Sequence, residues 1–223
     1  MFPDCRGRQS KNFSKQSLPL GVSSMGMEGR NNFIHYTTMV QAKNNAEISG
    51  DLVNVILTED CCIAAIADGL GSGAGANASA TVVVNELSHE KVGNIADILY
   101  QSNLQMKGKR GAVAAIIKIR FEQKVIEYTS IGNISCYVFN PIQEKVIYPR
   151  QKTGYLSGMD QTFTVQAMEY QEGDFFLLHT DGIQLGNPRS LLDEEEFIKL
   201  QRMHSEVVHI QNDDASFIAG RLF

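Results

Sequence analysis

The sequence has no tryptophan, only five prolines and only four cysteines in 223 residues. The cysteines (Cys5, Cys61, Cys62 and Cys136) show no C-x-x-C spacing, and the adjacent pair would point to opposite faces of a strand. That excludes a zinc knuckle and a disulfide framework. Thiols left unpaired suit a reducing cytoplasm, the expected location. No apolar run approaches the roughly 20 residues of a membrane-spanning helix, so no membrane role is expected. The start, MFPDCRGRQSKNFSKQ, is basic but has no apolar stretch behind it, which excludes a secretory signal. A net charge of −5 argues against nucleic acid as the partner. Repeats and low-complexity linkers are absent. What remains, 43% hydrophobic and 20% charged residues, is the composition of an ordinary globular domain.

The first 30 residues are polar and aperiodic and are expected to form a flexible N-terminal extension, with Met25 or Met27 as an alternative start. One domain is expected over 31–223. It opens with a β-rich run, FIHYTTMV, and the hairpin VNVILT and CCIAAIA. Ala76, Ala80, Val83, Val84 and Leu87 fall at helical spacing, predicting a core-facing helix to about His89. A second helix, Ile95 to Met106, would turn Ile95, Ile98, Leu99 and Leu104 inward. AVAAIIKIRF, KVIEYTSIG and ISCYVFN follow on short turns and read as an antiparallel meander. Lys145–Tyr148, FTVQAMEY and DFFLLHT add strands, Arg189 to Met203 a helix with a solvated acidic run (Asp193 to Glu196), and ASFIAGRLF a last strand. The class is α+β.

The chemistry concentrates at strand ends. IAAIADGLGSG is an apolar run that meets water at Asp68, with glycines at 69, 71 and 73 that let the backbone approach a ligand. DFFLLHTDG repeats the pattern and ends on Asp181; Asp51 follows Ser-Gly, and Asp213 precedes the last strand. Taken singly, each Asp-Gly is ordinary turn chemistry. Brought together, two carboxylates about 4 Å apart repel by about 4 kcal/mol at an effective dielectric of 20, which calls for cations. All-oxygen donors select Mg²⁺ or Mn²⁺. A pair of such ions generates a hydroxide nucleophile near neutral pH and neutralises phosphate oxygens, so metal-dependent phosphate ester hydrolysis is the expected activity. A dinucleotide site is excluded: the glycine spacing is wrong and the βα alternation is missing. Ser72 in G-S-G has no base assigned by motif.

ISGD, IADGLGSG, KRGAVAAIIKIRFEQ, IGN, GYLSG, LLHTDGI and NDDAS, in this order, resemble the PP2C-type (PPM) serine/threonine phosphatases in their short bacterial SpoIIE/RsbU-like form, nearest to the RsbX-type stressosome branch. The resemblance covers 32–223. It implies a β-sandwich of two antiparallel sheets flanked by helices, with two divalent cations, Mn²⁺ or Mg²⁺, at one end. Asp68 would bridge both ions, the Gly69 carbonyl would add a ligand, Asp181 and Asp213 would hold one ion, and Asp51 would hold or orient water on the other. Asp214, Lys109, Arg110 and His179 would lie behind these ligands or contact the substrate. The two glycines of GYLSG read either as the hinges of a mobile flap near the site or as parts of a plain loop. The implied substrates are phosphorylated STAS-domain regulators (RsbS/RsbR-like) of a stressosome. Two departures stand out: larger relatives carry an arginine ahead of the first acidic motif, where only Lys43 is near, and a histidine where this chain has Leu70. They leave open a second reading, a catalytically silent module that binds phosphoproteins.

Overall fold

The structure, a computed structural model, describes residues 16–17, 24–87, 93–202 and 213–223. Twelve strands are described: β1 (Gln16–Ser17), β2 (Ser24–Arg30), β3 (Ile34–Gln41), β4 (Asp51–Leu57), β5 (Cys61–Gly69), β6 (Ala112–Arg120), β7 (Val125–Ile131), β8 (Ser135–Asn140), β9 (Lys145–Ile147), β10 (Gln166–Glu169), β11 (Phe175–His179) and β12 (Ala215–Leu222). They form two antiparallel six-stranded sheets, in the orders β1-β4-β5-β6-β7-β10 and β2-β3-β12-β11-β8-β9. Helices α1 (Ala74–Leu87) and α2 (Ile95–Gln105) cover the first sheet, and α3 (Glu194–Arg202) covers the second.

Strand periodicity explains the layering. On β5, Cys62, Ala64 and Ile66 face the second sheet, where they meet Tyr36, Phe176, Leu178 and Ile218. The alternate set, Cys61, Ile63, Ala65 and Ala67, faces outward under Ala80, Val83, Leu87 and Leu99 of the helices. Both faces are buried, so the strand reads as one continuous apolar run. The small outward residues let α1 lie close: a Cβ on Gly69 would stand 1.9 Å from the Ala76 carbonyl oxygen, which only glycine permits. Phe139, Phe175 and Phe217 form the outer face of the second sheet against Phe197 and Leu200 of α3.

Five local expectations are corrected. Ser24–Arg30, assigned to the flexible extension, pairs along its length with β3 as an edge strand. Strand β8 does not continue a meander: the chain leaves the first sheet after β7 and pairs with β11 and β9 in the second. The helix expected from Arg189 begins as a 3-10 turn over Pro188–Leu192, and Asp193 restarts it by accepting from the Glu195 amide through its side chain. FTVQAMEY pairs only over Gln166–Glu169. Leu104 is 49% exposed, and Met106 is buried instead. The helix ends expected near His89 and Met203 lie outside the described residues.

Candidate metal centre

The same inner-facing parity that builds the core carries on to one end of the sandwich and changes chemistry there. Beyond Val53 comes Asp51, beyond Ile66 comes Asp68, beyond Leu178 comes Thr180, and before Ile218 come Ser216 and Asp214. Asp51 and Asp68 stand directly opposite in the β4–β5 ladder. Across the interior, the Thr180 and Ser216 hydroxyls donate to Asp51 Oδ2 at 2.7 and 2.8 Å, so one carboxylate ties the two sheets together. Its other oxygen, Oδ1, is buried without a hydrogen-bond partner.

Asp181 and Asp213 lie at the mouth. Asp181 is exposed and accepts from the Asn133 side-chain amide at 2.9 Å. Asp213 has Lys43 Nζ 4.0 Å away and accepts from the Asp214 amide at 2.9 Å. The chain bearing Asp181 crosses so close to the chain bearing Asp214 that a Cβ on Gly182 would be 2.0 Å from the Asp214 carbonyl oxygen. Asp214 uses both carboxylate oxygens on the backbone, accepting from the Lys43 and Gly50 amides at 2.9 Å each.

The electrostatics are those of crowded negative charge. Burial raises the Asp51 pKa well above the carboxylate range, and the Asp68 charge adds to the rise. Burial likewise pushes Asp68 up to about 7, helped by the charges of Asp181 and Asp213. Among the described residues, no three His, Cys, Asp or Glu side chains are already gathered into a finished ion cage. The charges nevertheless act on Asp68 together. Converging carboxylates, an orphaned buried oxygen and an all-oxygen donor set fit hard divalent cations.

The remaining candidates sort by position. Arg110 lies across the glycine loop after β5, donating to the Ser72 carbonyl at 3.0 Å, and Lys109 is an exposed neighbour. His179 faces away from the acids: its ring stacks on Tyr137 at 5.7 Å on the outer side of the second sheet, and its Nδ1 is 2.8 Å from the Thr180 carbonyl oxygen. Burial lowers its pKa, so it is a neutral ring beneath the strand end. The GYLSG loop is tied down. Leu156 is fully buried and pairs with Ala112, and buried Asn103 accepts from the Ser157 and Gly158 amides and donates to the Met159 carbonyl. Sequence reasoning missed Thr180, Ser216 and Asn133. The two hydroxyls were signalled by parity, and Asn133 only by its place in IGN.

Comparison with known proteins agrees with this architecture. Residues 58–219 match the family described as Stage II sporulation protein E (SpoIIE). The phosphoserine phosphatase RsbX of Bacillus subtilis (strain 168) is 34% identical over 194 residues, covering 84% of this chain and 96% of that protein. A crystal structure of RsbX in complex with magnesium superposes with a TM-score of 0.80 at 32% identity, over 89% of this chain and all of that one. A structure from work on the bacterial stressosome follows at 0.71 and 26% identity, covering 84% of this chain and 99% of that one. The catalytic domain of the serine threonine protein phosphatase PstP, in complex with 2 manganese ions, shares the fold at 0.63 and 14% identity, over 85% of this chain and 98% of that one.

Proposed function

The chain belongs to the SpoIIE family and has the PP2C-type fold of two antiparallel sheets; from that premise we propose a metal-dependent phosphoprotein phosphatase that hydrolyses phosphoserine or phosphothreonine on STAS-domain regulators of a stressosome. The catalytic domain on this reading comprises 31–223 together with Ser24–Arg30. Relation to a phosphoserine phosphatase and to a stressosome structure supports the substrate class. No described helix is long and apolar enough to cross a membrane; a cytoplasmic setting matches the free buried thiols of Cys61, Cys62 and Cys136.

The observation that carries the activity is the buried Asp51 Oδ1 with no partner, opposite Asp68 in a carboxylate cluster. Asp68, Asp181, Asp213 and the Gly69 carbonyl would hold two divalent cations, Mn²⁺ or Mg²⁺, with Asp51 a ligand or the group that orients water. Bound there, such ions supply an acidified water and positive charge for the phosphate oxygens. The chain's own residues do the positioning. Thr180 and Ser216 fix Asp51, the Asn133 amide aims one oxygen of Asp181, and Asp214 locks the backbone at Lys43 and Gly50. Lys43, 4.0 Å from Asp213, and Arg110, over the glycine loop after Asp68, would supply positive charge to orient a phosphate. Leu70, half-buried after Asp68-Gly69, has no proton to give, so either water at the site would protonate the leaving oxygen or turnover would be slow.

The test is phosphate release from a phosphorylated STAS-domain protein with Mn²⁺, with EDTA and with Asp68→Asn. Release that needs Mn²⁺ and is lost in the variant is expected. Tight binding with no release in any condition would favour the silent phosphoprotein-binding module instead.

A further inference from the structure

A second polar recess lies beside the acids. It has a cavity volume of about 500 Å³ and is lined by Ser130, Arg150, Lys152, Thr162, Thr164 and Gln166, together with Gln151. The lining has two cations, three hydroxyls and two amides, and no carboxylate. In a chain of net charge −5 that is a local inversion of sign. Among the described residues the Arg150 guanidinium makes no hydrogen bond, ion pair or ring contact. Ser130 is only 6% exposed, and its hydroxyl pairs with that of Tyr128 at the back of the recess. The exposed Arg150 guanidinium is therefore free to meet an anion at the mouth of the recess.

The walls are held in place. The Gln166 amide grips the Arg150 backbone in both directions, accepting from its N–H at 2.9 Å and donating to its carbonyl at 2.7 Å. The Gly132 amide donates to the Lys152 carbonyl at 2.7 Å, and the Gln151 side chain donates to the Ile134 carbonyl. Lys152 Nζ lies 5.0 Å over the Phe163 ring and donates to the Thr162 carbonyl, which leaves it further protons to give. The donors are thus preorganised on a fixed backbone.

The recess is also at a defined distance from the acids. Gly132, bonded to Lys152, precedes Asn133, which touches Asp181; Ser130 lies three residues before Asn133 across the Gly132 bend, which places it within about 10 Å, the reach of three residues. An extended peptide with its phosphoserine at the acids would bring a residue about three positions away over the recess. Resting on the phosphatase reading above, we propose that this recess receives an acidic side chain of the phosphoprotein substrate, with Arg150 and Lys152 as its counter-charges.

The test uses the full chain with Mn²⁺ and two phosphoserine peptides that carry either glutamate or glutamine three residues to each side of the phosphoserine. For the wild-type chain the glutamate peptide is expected to have about tenfold higher kcat/KM, through KM, as charge-assisted bonds at a half-exposed site give. Arg150→Gln brings the ratio close to one, and adding Lys152→Gln removes the rest; Arg150→Gln alone decides if the double variant misfolds. In parallel, the unphosphorylated glutamate peptide is titrated in EDTA against wild-type chain and Arg150→Gln by fluorescence anisotropy. Binding that the substitution weakens supports the recess even if neither phosphopeptide is cleaved, an outcome that would sink the phosphatase reading alone. A wild-type ratio of one, or peptide binding indifferent to Arg150→Gln, overturns the proposal.

Discussion

The interior between the sheets has two ends built on the same strands and the same inward-facing positions. At one end Val53, Ile66, Leu178 and Ile218 are 0–2% exposed and gain by leaving water. At the other, Asp51, Asp68, Thr180, Ser216 and Asp214 continue the series, and there burial works against the charges. The candidate centre is therefore the core's own prolongation with its polarity inverted, and it inherits the rigidity of a paired ladder. Stability resides at one end and reactivity at the other, and the two should respond to substitution with opposite sign.

The largest expected effect breaks the acidic end. Asp68→Asn should lower phosphate release about a thousandfold, on the order of 4 kcal/mol in transition-state stabilisation. The same change should raise the Tm of the metal-free protein, because one repelling charge is gone; loss of both activity and metal-free stability would refute the inversion. Next, Ile66→Ala at the apolar end should cost about 3 kcal/mol in urea unfolding. Activity per folded molecule should hold, and a variant as inactive as Asp68→Asn would blur the two ends into one. Asn103→Ala should cost about 2 kcal/mol by stranding the Ser157 and Gly158 amides. It should also raise protease sensitivity in 154–161, and no change there would mean the loop is held by Leu156 alone.

The smallest effect sharpens the comparison through pH. The folded pKa of Asp68 is raised from the ordinary carboxylate range to about 7, and that of Asp51 is raised too. The folded metal-free chain therefore holds more protons than the unfolded chain between about pH 4 and 7, and stability falls as pH rises through that window. Metal-free Tm at pH 5 should exceed that at pH 8 by several degrees. Saturating Mn²⁺ should cancel the difference, and a metal-free Tm that climbs with pH would contradict it.

Much of this was legible in the chain because it is local. Continuous apolar runs ending in Asp-Gly mark Asp68 and Asp181, and the helical spacing around Ala80 and Val83 marks the cover of the first sheet. What escaped depends on partners far away in sequence. Asp51 is fixed by Thr180 and Ser216 at separations of 129 and 165 residues, and Asn103 meets its loop 54 to 56 residues on. The departure of β8 for the second sheet leaves no mark in its short turn, since a hairpin and a crossover can begin alike. SMGMEGR looked shapeless because it is an edge strand with one buried side chain recorded, Met27, and little alternation to read.

Thermal unfolding in EDTA and in Mn²⁺, for the wild-type chain and Asp68→Asn, tests the inverted end most directly. The account predicts that Mn²⁺ raises the wild-type Tm by several degrees through mass action on the folded state and leaves the variant nearly unmoved. A wild-type Tm indifferent to Mn²⁺, or an equal rise in Asp68→Asn, would contradict it.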